Sequence, residues 1–278
     1  MAHILNIAQT DRSPIVALHS SASDGRQWAG LVSELCDRHE VLAYNLPGYG
    51  QEFKRCTSQQ GMAVVAEPII QEILKFGETV HLVGHSFGGG VALKIALMRP
   101  DLVKSLTLYE PVSFHVLNNG SQADAALLSG LKQVEQGLLS DDTDGRTGPA
   151  IKPFIDFWNG QGAWDAMPES LRNKLISTTA AVVADFVNCF GETWRLDDLK
   201  GLDIPTQILM GMESPAIAQR TATLVFEHIQ EAELVMLPGL GHMAPIHAPD
   251  WVNPRIKQHI ARVERCAEHF AWPQTRAA

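Results

Sequence analysis

The sequence predicts an α/β protein, with a mainly parallel β-sheet flanked by helices and an inserted helical cap. Short runs rich in Val, Ile and Leu recur along its 278 residues, and helical patterns with apolar residues three and four positions apart separate them. This alternation stops over residues 112–204, where the pattern is helical throughout. We therefore predict an α/β core formed by residues 1–111 and 205–278, and a helical cap formed by residues 112–204.

Six apolar runs predict the strands of this sheet. Each run is short and continuous, which is typical of a strand that is buried on both faces of a parallel sheet. The runs cover residues 14–18, 41–44, 80–83, 105–109, 206–210 and 233–237. Helices are predicted between them, over residues 27–36, 87–98 and 216–228. Strands that alternate with helices in this way predict right-handed crossovers.

Charge and composition exclude several classes of protein. The chain has 22 basic and 31 acidic residues, a net charge of −9, and it lacks the Lys and Arg clusters that bind nucleic acid. No apolar run approaches the roughly 20 residues that span a bilayer, so we expect no membrane segment. The first residues lack a secretion signal, and we expect a cytoplasmic protein. The four cysteines are scattered without a Cys-x-x-Cys pair, so neither a zinc site nor a dense disulfide framework is expected.

One motif carries a candidate nucleophile. The sequence Gly84-His85-Ser86-Phe87-Gly88 follows the predicted strand at 80–83 and begins the predicted helix at 87–98. In this context of strand, tight turn and helix, the serine hydroxyl is lifted off the sheet, and the two glycines leave room for the adjoining backbone. The start of the helix also directs N–H groups towards developing negative charge. Ser86 is therefore the predicted nucleophile.

With this motif and three further segments, the sequence resembles the α/β-hydrolase superfamily over nearly the entire chain. The segments are HSSAS at 19–23, NLPGYG at 45–50 and GLGHM at 239–243. Within the superfamily it is most similar to cap-bearing serine hydrolases of the carboxylesterase type, which are related to carbon–carbon bond hydrolases. The resemblance implies the α/β-hydrolase fold and a serine triad that works without a cofactor.

His242 is the predicted base. A serine hydroxyl is a weak nucleophile until a base takes its proton, and the ordinary pKa of histidine, about 6.5, suits that role. His242 lies between glycine and methionine in the loop after the last predicted strand. This position gives the family's chain order of serine, acid and histidine.

The acid departs from the common family pattern. Most relatives carry Asp at the position that Ser214 occupies here, and a serine cannot balance an imidazolium by charge. We favour Glu110, which ends the strand at 105–109, because some relatives place their acid at that strand end. Glu213 is the alternative, although a one-residue offset generally turns a side chain away.

Two backbone N–H groups are expected to stabilise the negative charge that develops on the substrate oxygen. By family analogy they come from Phe87, the residue after the nucleophile, and from Ser21. Ser20 is the alternative for the second donor, because it stands where relatives usually have glycine.

The cap implies a substrate pocket over Ser86. We expect aromatic side chains to form part of its wall, because a cap over a serine site must enclose the substrate. The predicted pocket residues are Trp158 and Trp194 in the cap, together with Trp28 and Met243 in the core.

The resemblance implies a serine hydrolase that cleaves carboxylic esters of small or medium apolar acyl groups through an acyl-enzyme. The residues leave open a carbon–carbon bond hydrolase of the meta-cleavage product type, a thioesterase or a lactonase. A non-catalytic ligand receptor on the same scaffold also stays open, because fold does not imply function. The expected partner is a small-molecule ester, and the sequence leaves open whether the chain forms a homo-oligomer.

Overall fold

Seven strands form one sheet at the centre of the molecule. The computed structural model of the chain describes residues 3–4, 12–49, 61–140 and 150–270. The strands are β1 (His3–Ile4), β2 (Ile15–Leu18), β3 (Val41–Tyr44), β4 (Val80–His85), β5 (Val103–Tyr109), β6 (Thr206–Gly211) and β7 (Ala232–Leu237). Their order is β1-β3-β2-β4-β5-β6-β7. Only the pairing of β1 with β3 is antiparallel, and the other five pairings are parallel. The predicted α/β class and the six predicted strands are confirmed.

Helices cover both faces of the sheet. The core helices are α1 (Ala29–Leu35), α2 (Ala63–Leu74), α3 (Phe87–Met98), α9 (Ala216–His228), α10 (Ala244–His247) and α11 (Pro249–Phe270). The predicted helices at 87–98 and 216–228 are confirmed. The one predicted at 27–36 is shorter as an α-helix, because a 3-10 helix, Gly25–Trp28, precedes α1.

The core lies in two apolar layers, one on each face of the sheet. The larger layer packs α2, α3 and α9 against the sheet and continues into the segment between β5 and β6. The smaller layer packs α1 and α11 against the other face. Every residue of β2 and β4 is buried, as expected for central strands covered on both faces.

The segment between β5 and β6, residues 112–204, is called the cap segment below. Its described residues contain a 3-10 helix at each end and five α-helices: α4 (Gln122–Ser140), α5 (Ile151–Asn159), α6 (Ala163–Ala166), α7 (Glu169–Ile176) and α8 (Thr179–Phe190). The described part of this segment contains no strand, in line with its helical sequence pattern. Its separation from the core as a domain stays a prediction.

The register of the central strands places the functional candidates at one edge of the sheet. His85 pairs with Tyr109, and Tyr109 pairs with Leu209. Because these strands are parallel, the residues that follow them leave the sheet side by side. Ser86 and Glu110 therefore start from neighbouring positions. Across the described ranges, no helix combines the length and apolar character needed to cross a membrane.

Candidate active site

Ser86 occupies a strained turn between β4 and α3. Its backbone has φ 55° and ψ −119°, a conformation that L-residues rarely adopt. The turn holds because Ser86 N–H donates to the Tyr109 carbonyl, and the Ser86 carbonyl accepts from the N–H groups of Gly90 and Val112. The hydroxyl therefore projects from the sheet edge at the start of α3.

Gly88 is required by the close approach of two backbone segments in this turn. A Cβ atom added at Gly88 would lie 2.4 Å from the His19 carbonyl oxygen and 2.5 Å from that of Leu18. Because backbone atoms at such distances cannot give way without moving β2, we expect Gly88→Ala to lower the free energy of unfolding by about 2–3 kcal/mol or more. Urea denaturation followed by circular dichroism measures this.

Gly130 provides the matched control. It lies inside α4, and a Cβ added there meets no atom within 4 Å. Gly130→Ala should raise the free energy of unfolding by about 0.5–1 kcal/mol, because alanine favours the helix. Equal stability of the two variants would show that the turn does not need glycine at position 88.

The structure brings Ser86, His242 and Glu110 into one hydrogen-bonded row. Ser86 Oγ lies 2.9 Å from His242 Nε2, and His242 Nδ1 lies 2.6 Å from Glu110 Oε2. All three side chains are buried. In this row the hydroxyl faces a base whose other nitrogen is held by a carboxylate, which is the geometry of an activated nucleophile.

Between the two candidate acids, only Glu110 reaches the histidine. Its second oxygen, Oε1, accepts hydrogen bonds from Gly211 N–H at 2.7 Å and from the Ser214 hydroxyl at 2.5 Å. Glu213 is exposed, and among the described residues the hydrogen-bond partner of His242 Nδ1 is Glu110 instead. Ser214, at the position where most relatives carry Asp, thus supports the carboxylate that has moved to the neighbouring strand. Glu110 itself has φ 44°, so its backbone also lies in the positive-φ region that L-residues rarely adopt.

The loop after β2, residues 19–23, is called the oxyanion loop below, and its residues 20–23 line the same cavity as Ser86. Ser20 N–H already donates to Gln27 Oε1 at 3.1 Å. Ser21 N–H has no acceptor in the part of the chain that the structure describes, and Phe87 N–H is an unpaired donor in the first turn of α3. The geometry thus favours Ser21 over Ser20 as the partner of Phe87.

A cavity of about 310 Å³ opens onto Ser86 and His242. Its wall is formed by the oxyanion loop, by α5 and α7 of the cap segment, and by the loop that carries His242. Two of the predicted pocket residues line it: Trp158, whose ring lies 4.2 Å from that of His242 between centroids, and Met243.

The other two predicted pocket residues lie elsewhere. Trp28 is fully buried in the apolar layer on the α1 and α11 face, at the end of a 3-10 helix that packs against β2 and β3. Trp194 packs edge-on against His115, with ring centroids 4.4 Å apart, at the end of the cap segment. Neither residue lines the cavity, and this part of the pocket prediction was wrong.

Asp185, a buried carboxyl beside the oxyanion loop, was not predicted from the sequence. Its Oδ2 accepts from the hydroxyls of Ser21 and Tyr49, both at 2.5 Å, and the Tyr49 oxygen accepts from Ala22 N–H. It lines a small recess together with Ser86. Burial raises the pKa of Asp185 to about 7, although the two hydroxyl groups act in the opposite direction. An isolated Asp in a helical segment gives no sequence signal for this position.

The raised pKa of Asp185 predicts a pH-dependent stability. The folded protein favours the protonated carboxyl, so this contribution is fully present below its ordinary pKa of 3.8 and is lost as pH rises to about 7. We therefore expect the stability of the wild type, measured by urea denaturation relative to Asp185→Asn, to fall between these two pH values. The exposed Asp37→Asn serves as control. A difference that does not change with pH would contradict the raised pKa.

Comparisons with known proteins agree with this architecture. The model of the family described as "Alpha/beta hydrolase family" matches residues 15–255. A curated relative from Cupriavidus necator, the dihydrolipoyllysine-residue acetyltransferase component of an acetoin cleaving system, is 34% identical over 108 residues. That match covers 38% of this chain and 29% of the relative. The (E)-2-((N-methylformamido)methylene)succinate hydrolase of Acinetobacter baylyi is 20% identical to this chain over 263 residues, and the match covers 90% of each of the two chains. Among solved structures, MenH from S. aureus superimposes with a TM-score of 0.74 at 18% identity, covering 93% of this chain and 97% of its own.

Proposed function

Since this chain belongs to the alpha/beta hydrolase family, we propose that it is a serine hydrolase that cleaves carboxylic esters of small or medium apolar acids. The observation that carries the proposal is the row of hydrogen bonds from Ser86 through His242 to Glu110. A base within 3 Å of a serine hydroxyl, itself oriented by a carboxylate, is the arrangement that acyl transfer requires. The same row is compatible with thioester or lactone cleavage, and the ester is the simplest substrate to test.

In the first half of the reaction, Ser86 Oγ bonds to the carbonyl carbon while its proton passes to His242 Nε2. The electron pair of the carbonyl bond moves to the oxygen, which faces the N–H groups of Ser21 and Phe87. When the intermediate collapses, the carbon–oxygen bond to the alcohol breaks. His242 returns its proton to the leaving oxygen, and Ser86 keeps the acyl group.

In the second half, water takes the place of the alcohol. The water oxygen bonds to the acyl carbon while His242 accepts a proton from the water. His242 then protonates Ser86 Oγ as the bond to the acyl group breaks and the carboxylic acid leaves. Glu110 stays ionised throughout and stabilises the imidazolium that forms twice in each cycle.

The cavity supports an apolar acyl or alcohol group. The apolar part of its lining includes Phe154, Ile155, Trp158, Leu175 and Met243. Its volume of about 310 Å³ lies at the lower end of the range for small-molecule sites, so a substrate of small or medium size is expected.

The test is hydrolysis of a p-nitrophenyl ester series from acetate to decanoate, with a fluorophosphonate inhibitor as covalent probe. We expect saturable turnover with an optimum at short or medium acyl length. Inhibition should add one phosphonyl group, located by peptide mass spectrometry on Ser86. Absence of turnover above the enzyme-free rate across the series, or labelling of another residue, would contradict the proposal.

A further inference from the structure

The side chain of Gln27 bridges the oxyanion loop and the turn that carries Ser86. Its Oε1 accepts from both the N–H and the hydroxyl of Ser20, each at 3.1 Å. Its Nε2 lies 3.1 Å from His85 Nδ1, and His85 Nε2 lies 2.8 Å from the His242 carbonyl oxygen. One chain of hydrogen bonds therefore joins the oxyanion loop, the turn of the nucleophile and the loop of the base.

The His242 carbonyl oxygen, the last acceptor in this series of hydrogen bonds, determines the direction of all of them. A carbonyl oxygen can only accept, so His85 must carry a proton on Nε2. Burial lowers the pKa of His85 well below its ordinary value, so the ring is neutral and Nδ1 is unprotonated. Nδ1 therefore accepts from the amide NH2 of Gln27, which leaves Oε1 of Gln27 to face Ser20. Each donor in the chain meets an acceptor.

These hydrogen bonds determine which N–H group of the oxyanion loop is free to act as the oxyanion donor. The Ser20 carbonyl is held by Ser23 N–H and His19 Nδ1, but its N–H and hydroxyl have Gln27 as their acceptor. With the Ser20 donors bound by Gln27, the next N–H along the loop, that of Ser21, is the one left to point into the cavity.

We propose that Gln27 is a positioning residue that fixes the oxyanion loop relative to Ser86 and His242, so that the Ser21 N–H faces the developing oxyanion. The proposal rests on the hydrolase function proposed above. Gln27 also borders the cavity, but its amide is engaged on both sides and acts on the reaction through Ser20 and His85.

Two hydroxyl contacts hold the other end of the oxyanion loop, and they do not replace Gln27. The Asp185 carboxyl binds the Ser21 hydroxyl, and Tyr49 binds Ala22 N–H. These contacts lie on the cap side of the loop, whereas the Gln27 contact lies on the side of His85. Loss of Gln27 therefore frees the Ser20 peptide while the rest of the loop stays attached.

The first test is Gln27→Leu, assayed with the best p-nitrophenyl ester. We expect kcat to fall by about 10–100-fold with KM nearly unchanged, because a misplaced oxyanion donor affects the transition state more than substrate binding. Gln71→Leu is the matched control, since Gln71 is an exposed glutamine whose amide donates to Glu67 on α2. Melting temperatures of both variants show whether they are folded.

The second test is Gln27→Glu, which keeps the acceptor for Ser20 but offers a second acceptor to the unprotonated His85 Nδ1. The chain can then form only when a proton is added between the carboxylate and His85. We expect the activity of Gln27→Glu relative to wild type to rise as pH is lowered from about 8 to about 6. The charged groups that act on the pKa of His85 are His242, His19 and His247, none of which is a carboxyl, and the Tyr109 ring packs edge-on against it.

The outcomes separate this proposal from the proposed function. If the wild type turns over esters and Gln27→Leu is folded with unchanged kcat, the positioning role is wrong. If Gln27→Leu does not fold, Gln27→Glu decides, and a pH profile parallel to the wild type overturns the role. If the wild type is inactive on esters, the proposed function fails, but nitrogen NMR of His85 still tests the hydrogen-bond series through Gln27. A proton on Nε2 of His85 supports that series, and a proton on Nδ1 overturns it.

Discussion

Replacing Ser86 with alanine is expected to lower kcat for ester hydrolysis by about 10⁵–10⁶-fold, because no other group can form the acyl-enzyme. Alanine leaves the backbone of the turn unchanged, and the oxyanion donors and the cavity remain. The residual rate should therefore lie above that of the uncatalysed reaction. Parallel kinetics of wild type and Ser86→Ala on one preparation of p-nitrophenyl ester measure the effect.

Ser23→Ala is the control for this substitution. Ser23 also lines the cavity but lies at the far end of the oxyanion loop, away from the hydrogen bonds of His242. We expect its kcat to change by less than about threefold. If Ser86→Ala kept a kcat comparable to that of Ser23→Ala, turnover would not pass through an ester of Ser86. A water-mediated or non-enzymatic route would then have to explain the turnover.

Replacing Glu110 with glutamine is expected to lower kcat by about 10⁴-fold, as in other triads that lose their carboxylate. The reason lies in the three donors that surround Glu110: His242 Nδ1–H, Gly211 N–H and the Ser214 hydroxyl. An amide has one accepting oxygen. If that oxygen faces Gly211 and Ser214, the amide NH2 faces His242 and forces its proton onto Nε2, where it blocks proton transfer from Ser86. If the oxygen faces His242, the amide NH2 opposes the Gly211 N–H, and the Ser214 hydroxyl loses its acceptor.

Glu213→Gln is the matched control, because it makes the same chemical change one residue away from Ser214. Its side chain is exposed, and the described residues show no hydrogen bond between it and His242, so kcat should change by less than about twofold. Steady-state kinetics at one pH suffice for the comparison. A large loss in Glu213→Gln together with a small one in Glu110→Gln would reassign the acid.

The sequence alone was sufficient to locate six of the strands, because the pattern of a buried strand is local. A buried parallel strand must be a short apolar run, and a tight turn between strand and helix needs glycine at fixed positions. The runs at 41–44 and 206–210 and the helix at 87–98 could therefore be located from their patterns. The same locality placed Ser86 at the start of α3.

The choice of the triad acid could not be made from local sequence patterns. Glu110 and Glu213 are each plausible from their neighbours, and the choice depends on which strand end meets His242. The parallel register of β5 and β6 decides it by placing Glu110 beside Gly211, where Ser214 and a backbone N–H hold its second oxygen. Strand adjacency is a property of the whole sheet and has no signature in either segment.

By itself, then, the sequence determined the α/β class, the turn of Ser86 and the family to which the chain belongs, because periodicity and turn chemistry act between near neighbours. Only the tertiary structure decided that Trp28 and Trp194 lie away from the cavity, and that Gln27 and Asp185 hold the oxyanion loop. Gln27 meets His85, and Asp185 meets Ser21, across 58 and 164 positions of the chain. Contacts of such separation arise from how the layers pack, which no local pattern encodes.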